Sequence, residues 1–406
     1  MRPRPIVSLI STVLAVSAAF AQPGPARFGA DLKFVKQHVP VIVLSGQKGQ
    51  AEVMVIPGLQ GRVLTSTAAG PSGLSFGWVN RELIASGKTV PHFNAYGGED
   101  RFWIGPEGGQ FSLFFSKGAK FDLAHWQTPA GVDTEPWQVI RKSRNQALVR
   151  KSMRLRNYSN TLFSVQVDRE VRLLSPSETF RRAGVAPAAG VDVVGYETVN
   201  TLKNTGPVRW TKKTGLLSIW ILGMMNASPS NTIVIPFKPG PVSKLGRIVN
   251  DEYFGKVPAD RLVIKKDVLY FKADYNWRSK IGISPRRDKQ ILGSYDSANH
   301  VLTLVQFTQP AGVTDYVNSM WRIQKDPFAG DTTNAYNDGP STPGGKQMGH
   351  FYELESSSPA LALRPGQSAT HIQRTMHFVG STKVLDKIAR TTLGVSLADI
   401  QKGLPH

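Results

Sequence analysis

The chain is 406 residues long, contains no cysteine, and sets 49 Lys and Arg against 29 Asp and Glu for a formal net charge of +20. Without cysteine there is neither a disulfide framework nor a lipidated cysteine, so the protein must hold together by its core. The positive charge favours anionic partners such as acidic glycans or lipopolysaccharide; nucleic acid is not expected, because Lys and Arg are scattered along the chain and no recognition helix, zinc finger or RNP-like run occurs.

Met1-Arg-Pro-Arg-Pro carries two positive charges, Ile6 to Phe20 carries none, and Ala19-Phe20-Ala21 is a small-x-small site. That is the layout of a secretory signal peptide over residues 1–21, which predicts cleavage after Ala21 and a periplasmic or extracellular product. Loss of Arg2 and Arg4 lowers the formal charge from +20 to +18. No later stretch reaches the roughly 18 uncharged apolar residues of a membrane span, so no transmembrane segment is expected in the mature chain.

The remainder, 22–406, reads as strands. Val41–Ser45 and Ala51–Ile56 flank a glycine-bounded turn, and Trp137–Arg141 pairs in the same way with Ala147–Asn157. The clearest alternation is at Val165 to Leu173, where Val165, Val167, Val171 and Leu173 share one face and Gln166, Asp168, Glu170 and Arg172 the other. Leu216–Met225, Asn231–Phe237, Arg261–Lys272, His300–Phe307 and Gln373–Val379 continue the pattern. Helical periodicity is confined to Asp31–His38, Asn80–Ser86 and two terminal pieces beginning at cap candidates Ser381 and Ser396. Many antiparallel strands with few helices predict an all-β sandwich in one continuous domain. Long loops are expected at Ala183–Gly190 and Asp326–Lys346.

Familiar motifs mostly fall away. Gly73-Leu-Ser-Phe-Gly has the form of a nucleophile elbow, but the parallel sheet and crossover helices it requires are missing from the pattern. Gly87-Lys-Thr lacks the first glycine of a phosphate-binding loop, with Glu82 in its place. Nothing calls for an organic cofactor. Asp326, Asp331, Asn334, Asn337 and Asp338 gather hard oxygen donors in a short span, which makes Asp331, Asn337 and Asp338 candidate calcium ligands. Asn and Asp also favour turns for local reasons.

Two distant segments carry the functional signal. Gly97 to Phe111 reads GGEDRFWIGPEGGQF, with five glycines and three acids around Arg101 and Trp103; Phe351 to Phe378 reads as strand, Pro365-Gly366 turn, strand. The second resembles the E-x-x-S-P…L-x-P-G-x-S signature of secreted bacterial proteins in the galactose mutarotase-like (aldose 1-epimerase-like) superfamily. The first resembles the G-G…W…P-E segment of the same proteins. The resemblance implies a large antiparallel two-sheet β-supersandwich with short peripheral helices and a carbohydrate site on the concave face of one sheet.

In mutarotases a carboxylate takes the proton of the anomeric hydroxyl while an imidazole protonates the ring oxygen, which needs an acid and a base tuned toward working pH. By position, Glu99, Glu107 and Glu353 are candidates for the carboxylate, and His92, His125 and His371 for the imidazole. Glu355 shares the strand parity of Glu353 and competes with it. Arg101 would grip sugar hydroxyls, with Trp103 or Trp126 stacked on a pyranose face. The epimerases' His-x-Tyr-x-Asn-like segment is not found mid-chain, so no histidine is assigned by the resemblance. Two readings follow: an exported carbohydrate-modifying protein, or a glycan-binding envelope protein on the same scaffold.

Overall fold

The computed structural model describes residues 25–405 apart from 47, 341 and 343; the expected signal peptide lies outside the described residues. Two antiparallel sheets carry the fold, with strands numbered here in chain order. The eight-stranded sheet runs Ile42–Ser45 (β1), Glu52–Ile56 (β2), Arg62–Thr67 (β3), Gly98–Gly105 (β4), Ser218–Asn226 (β9), Phe351–Ser357 (β17), Thr333–Asn337 (β16) and Ser279–Ile283 (β13). The ten-stranded sheet runs Leu262–Ile264 (β11), Val268–Lys272 (β12), Asn231–Pro236 (β10), Ile291–Asp296 (β14), Val301–Phe307 (β15), Ser368–Gly380 (β18), Val191–Asn204 (β8), Leu162–Leu173 (β7), Gln146–Arg156 (β6) and Gln138–Lys142 (β5). The all-β, two-sheet architecture is the one expected.

Alternation decides which side chains fill the space between the sheets. From β9, Ile219 and Ile221 point inward to meet Val165, Val167 and Leu202 of the other sheet, while Trp220, Leu222 and Met224 point outward. A second inner cluster joins Ile281, Ala335, Tyr352 and Leu354 to Ile233, Leu269, Leu292 and Val305. Helices cover part of the outer face of the ten-stranded sheet. The helix Thr382–Leu393 buries Leu385, Ile388, Ala389 and Leu393 at helical spacing, and the helix Leu397–Gln401 starts at a Ser396/Asp399 capping box. Each large apolar side chain buried there contributes about 1.5–3 kcal/mol. On the outer face of the eight-stranded sheet the helices Phe28–Lys36 and Arg81–Ser86 pack over β2 and β3, and the candidate site lies over the remaining strands.

Three details differ from the sequence reading. The loop expected at Asp326–Lys346 contains β16, a central strand whose Thr, Asn and Tyr content hides its pattern. Arg261–Lys272 is a hairpin of β11 and β12, turning at Lys265, Lys266 and Asp267, where three charges interrupt the apolar run. Pro176–Ala183 is a helix with Ser175 as its cap and Pro176 in its first turn, a start signal that went unread.

Between the sheets runs a polar belt. Arg169 occupies the otherwise apolar face of β7, is fully buried, and donates to Asp100 Oδ1 at 2.5 Å, Asn200 Oδ1 at 2.7 Å and the Gly61 carbonyl. Glu99 faces His377 Nε2 at 2.7 Å, and His377 Nδ1 meets Thr303 Oγ1 at 2.9 Å. Charges so deep are costly unless paired and hydrogen-bonded.

Candidate functional site

The glycine-flanked stretch is β4, and a β-bulge explains its crowding of charges. Gly98 pairs with Met224 and Arg101 with Leu222, so β4 holds one residue more than β9 between these pairs. Glu99 and Asp100 therefore both turn inward, to His377 and Arg169, while Arg101 and Trp103 face outward. Gly97 and Gly98 have φ of +95° and +111°; a Cβ on Gly97 would lie 2.0 Å from the Trp78 carbonyl oxygen. Glycine is needed because the chain passes this close in a conformation L side chains avoid.

Register across the eight-stranded sheet sets the rest. Lys280, Tyr336, Glu353 and Met224 form one row of paired residues, and Asn334, Glu355, Leu222 and Arg101 form the next. Ion pairs cross between rows: Arg101 Nη2 to Glu353 Oε1 at 2.5 Å, and Lys280 Nζ to Glu355 Oε2 at 2.9 Å. Trp220 Nε1 also donates to Glu355 Oε2 at 2.8 Å. The four charged groups are nearly excluded from solvent, Arg101 at 1 % exposure and Glu355 at 0 %.

Above them opens a cleft of about 390 Å³. Its walls are aromatic: Phe93, Trp103, Trp126, Trp220, Phe254, Trp321 and Tyr336. Trp126 and Trp321 stack at 5.9 Å, and Trp103 meets Trp220 edge-on at 5.4 Å. The Arg101 guanidinium lies 5.3 Å from the Trp103 ring centroid and Lys280 Nζ 4.8 Å from that of Trp220. Several buried donors and acceptors here have no protein partner: Arg101 Nε and Nη1, Trp103 Nε1, Trp126 Nε1 and Glu355 Oε1. Buried polar atoms are normally satisfied, which sets these five apart.

Burial pushes the Glu353 carboxyl up to about 7, with Arg101 opposing and Glu355 reinforcing. Burial also raises Glu107 to about 7, against the pull of Lys280. For Lys280, burial works against the charge, yet Glu355, Glu107 and Glu353 together hold it above the ordinary lysine value. Two carboxyl groups near neutrality in one cleft can each give or take a proton.

Of the residues singled out in the sequence, His92, Arg101, Trp103, Glu107, Trp126 and Glu353 line this cleft. His92 adopts φ of +71° and its Nδ1 lies 2.6 Å from the Trp126 carbonyl oxygen. Glu99 is turned inward by the bulge. His125 is exposed on the surface beside Asp122, at 2.5 Å, and does not line the cleft. His371 is on β18 in the opposite sheet; its Nε2 meets Ser356 Oγ at 2.8 Å, and burial lowers it to about 4. The epimerase-like pairing of Glu353 with His125 or His371 is therefore not assembled.

The calcium candidates do not converge. Asp331 Oδ2 accepts from Asn250 and Tyr253, Asn337 bonds the Trp277 carbonyl, and Asp338 accepts from Tyr336 and Gly349. Among the described residues no group of three or more His, Asp or Glu is placed to hold a metal ion.

Missed in the sequence were Trp220, Arg278, Lys280, Trp321 and Tyr336. Lys280 had a signal: it interrupts the short apolar strand Ser279–Ile283. Trp220 had none, being one apolar residue among many in Ser218–Asn226.

No curated protein matches the sequence. Solved structures similar in fold include the Slr1438 protein of Synechocystis sp. PCC 6803, at 13% identity and TM-score 0.48, over 84% of this chain and 96% of that one. A galactose mutarotase-like protein of Lactobacillus casei aligns at 10% identity and TM-score 0.47, over 83% and 100%. A galactose mutarotase related enzyme of Lactobacillus acidophilus aligns at 7% identity and TM-score 0.45, over 84% and 97%. One family model matches residues 26–404, so the chain belongs to DUF6786, a family of unknown function.

Proposed function

We propose that the cleft binds a carbohydrate and exchanges protons with it, in an exported protein of aldose 1-epimerase-like chemistry. The observation that carries this reading is the Arg101–Glu353 pair set beneath a tryptophan wall, with unpartnered N–H groups on the lining residues Arg101, Trp103 and Trp126. Aromatic faces suit the apolar side of a pyranose, and charged forks suit its hydroxyls. Glu353 and Glu107, both near neutrality, are the groups suited to proton transfer. In such a reaction one carboxylate removes the anomeric hydroxyl proton while a protonated partner delivers one to the ring oxygen. The C1–O5 bond opens to an aldehyde, and reclosure on the other face returns both protons.

Polarimetry of freshly dissolved aldoses tests this. Accelerated mutarotation by wild type, lost in Glu107→Gln and in Glu353→Gln, is expected; no acceleration across a broad aldose panel refutes the catalytic part. Binding without turnover is favoured by one observation: Glu353 and Glu355 are both engaged in ion pairs. That reading predicts thermal stabilisation by a glycan without catalysis. Stabilisation unchanged by Arg101→Ala would remove the cleft as the binding site.

A further inference from the structure

The cleft has a neighbour. A larger cavity, about 680 Å³, is lined by Arg247, Arg286, Arg322 and Lys325, with Asp326 and Asp331 as its carboxylates. All four cations are exposed, and among the described residues none of Arg286, Arg322 and Lys325 forms an ion pair. Asp331 is buried, and that burial raises its carboxyl above the usual aspartate value. Four cations facing one hollow repel each other, and a polyanion relieves that repulsion.

Two structural links tie this cavity to the aromatic cleft. The first is the segment 318–325. Its Trp321 lines the cleft and stacks on Trp126, while Arg322 and Lys325 line the cationic cavity. The segment is pinned from within: the Gln324 side chain donates to the Asn318 and Met320 carbonyls, and its backbone N–H donates to Gln110 Oε1. The second link is Tyr253. Its hydroxyl donates to Asp331 of the cavity at 2.8 Å, and its ring lies 5.5 Å from Lys280 Nζ of the cleft.

We propose that cleft and cationic cavity form one groove for an acidic oligosaccharide, one unit held among the tryptophans and its carboxylate-bearing neighbours against Arg247, Arg286, Arg322 and Lys325. The proposal rests on the sugar reading of the cleft and names the substrate class. Surface cations act on charge without strict geometry, so they suit a repeating acidic chain. The chain's general excess of Lys and Arg assists its approach.

Calorimetric titration compares uronic-acid hexasaccharides with neutral hexasaccharides, using wild type, the double variant Arg286→Ala/Arg322→Ala and Trp103→Ala. Both arginines are exposed, so the double variant retains its fold. The acidic chain should bind more tightly than the neutral one and weaken with salt. Loss of both arginines should weaken the acidic chain by about five- to tenfold and leave the neutral one unchanged. Acidic binding untouched by the double variant overturns the groove, as does inorganic polyphosphate binding equally well and independently of Trp103. If neutral and acidic chains bind equally and both need Trp103, the cleft stands and the groove falls. If neither binds, the sugar reading falls and takes the groove with it.

Discussion

Glu353 should leave its mark on stability as a function of pH. It is 6 % exposed, and burial holds its folded-state value at about 7 against an ordinary 4.5. Between those values the folded chain binds the proton more tightly than the unfolded chain. The stabilisation is therefore fully present below 4.5 and is lost as pH rises through about 7. At about 1.36 kcal/mol per pH unit, the gap from 4.5 to about 7 sets a ceiling of about 3 kcal/mol, of which about 2 kcal/mol falls between about pH 5 and about pH 7.5. Glu353→Gln preserves shape and an acceptor for Arg101 but cannot ionise. Urea unfolding of both proteins across this range follows the group and its charged neighbours, because titrating residues remote from Glu353 cancel in the difference. Wild type should lose about 2 kcal/mol more than the variant over that interval. Parallel curves would refute the claim that this carboxyl is held near neutrality, and with it the basis for proton transfer.

Other perturbations test the scaffold. Arg169→Met strands Asp100 in the polar belt and should cost about 3–5 kcal/mol; adding Asp100→Leu should restore most of it, as a double-mutant cycle in urea would show. His371, buried and lowered to about 4, contributes stability above its ordinary 6.5 that is lost as pH falls through about 4. His371→Gln should flatten that acid limb in thermal melts. Gly98→Ala places a Cβ 2.5 Å from Arg62 Cδ at φ +111° and should destabilise by about 1–3 kcal/mol, read by chemical unfolding. Because the side chains of Asp331, Asn337 and Asp338 are engaged with protein partners, a chelator should leave the melting temperature unchanged.

Strand content was legible because a period of two is a local property: Val165 to Leu173 alternates whatever it packs against. Even there, the buried Arg169 was passed over among its valines, since local pattern gives no hint that Asp100 waits opposite. Strand β16 was hidden because Thr, Asn and Tyr at four of its five positions leave it no apolar stripe. Arg101 and Glu353 were named from two short segments, whereas Trp220 and Lys280 entered the site only through the pairing of β4, β9, β17, β16 and β13, and Trp321 only through the loop 318–325.

The division follows from distance along the chain. Alternation, turn glycines and helix caps are written in neighbouring residues, so the sequence by itself determined an all-β chain with a few short helices near its start and at its end. Which charge meets which was settled by tertiary structure. Arg101 and Glu353 are 252 residues apart, and a single extra residue in β4 sends Glu99 and Asp100 inward and Arg101 outward. A bulge changes the face of a side chain without changing its neighbours in sequence, and only the assembled sheet shows where it lies.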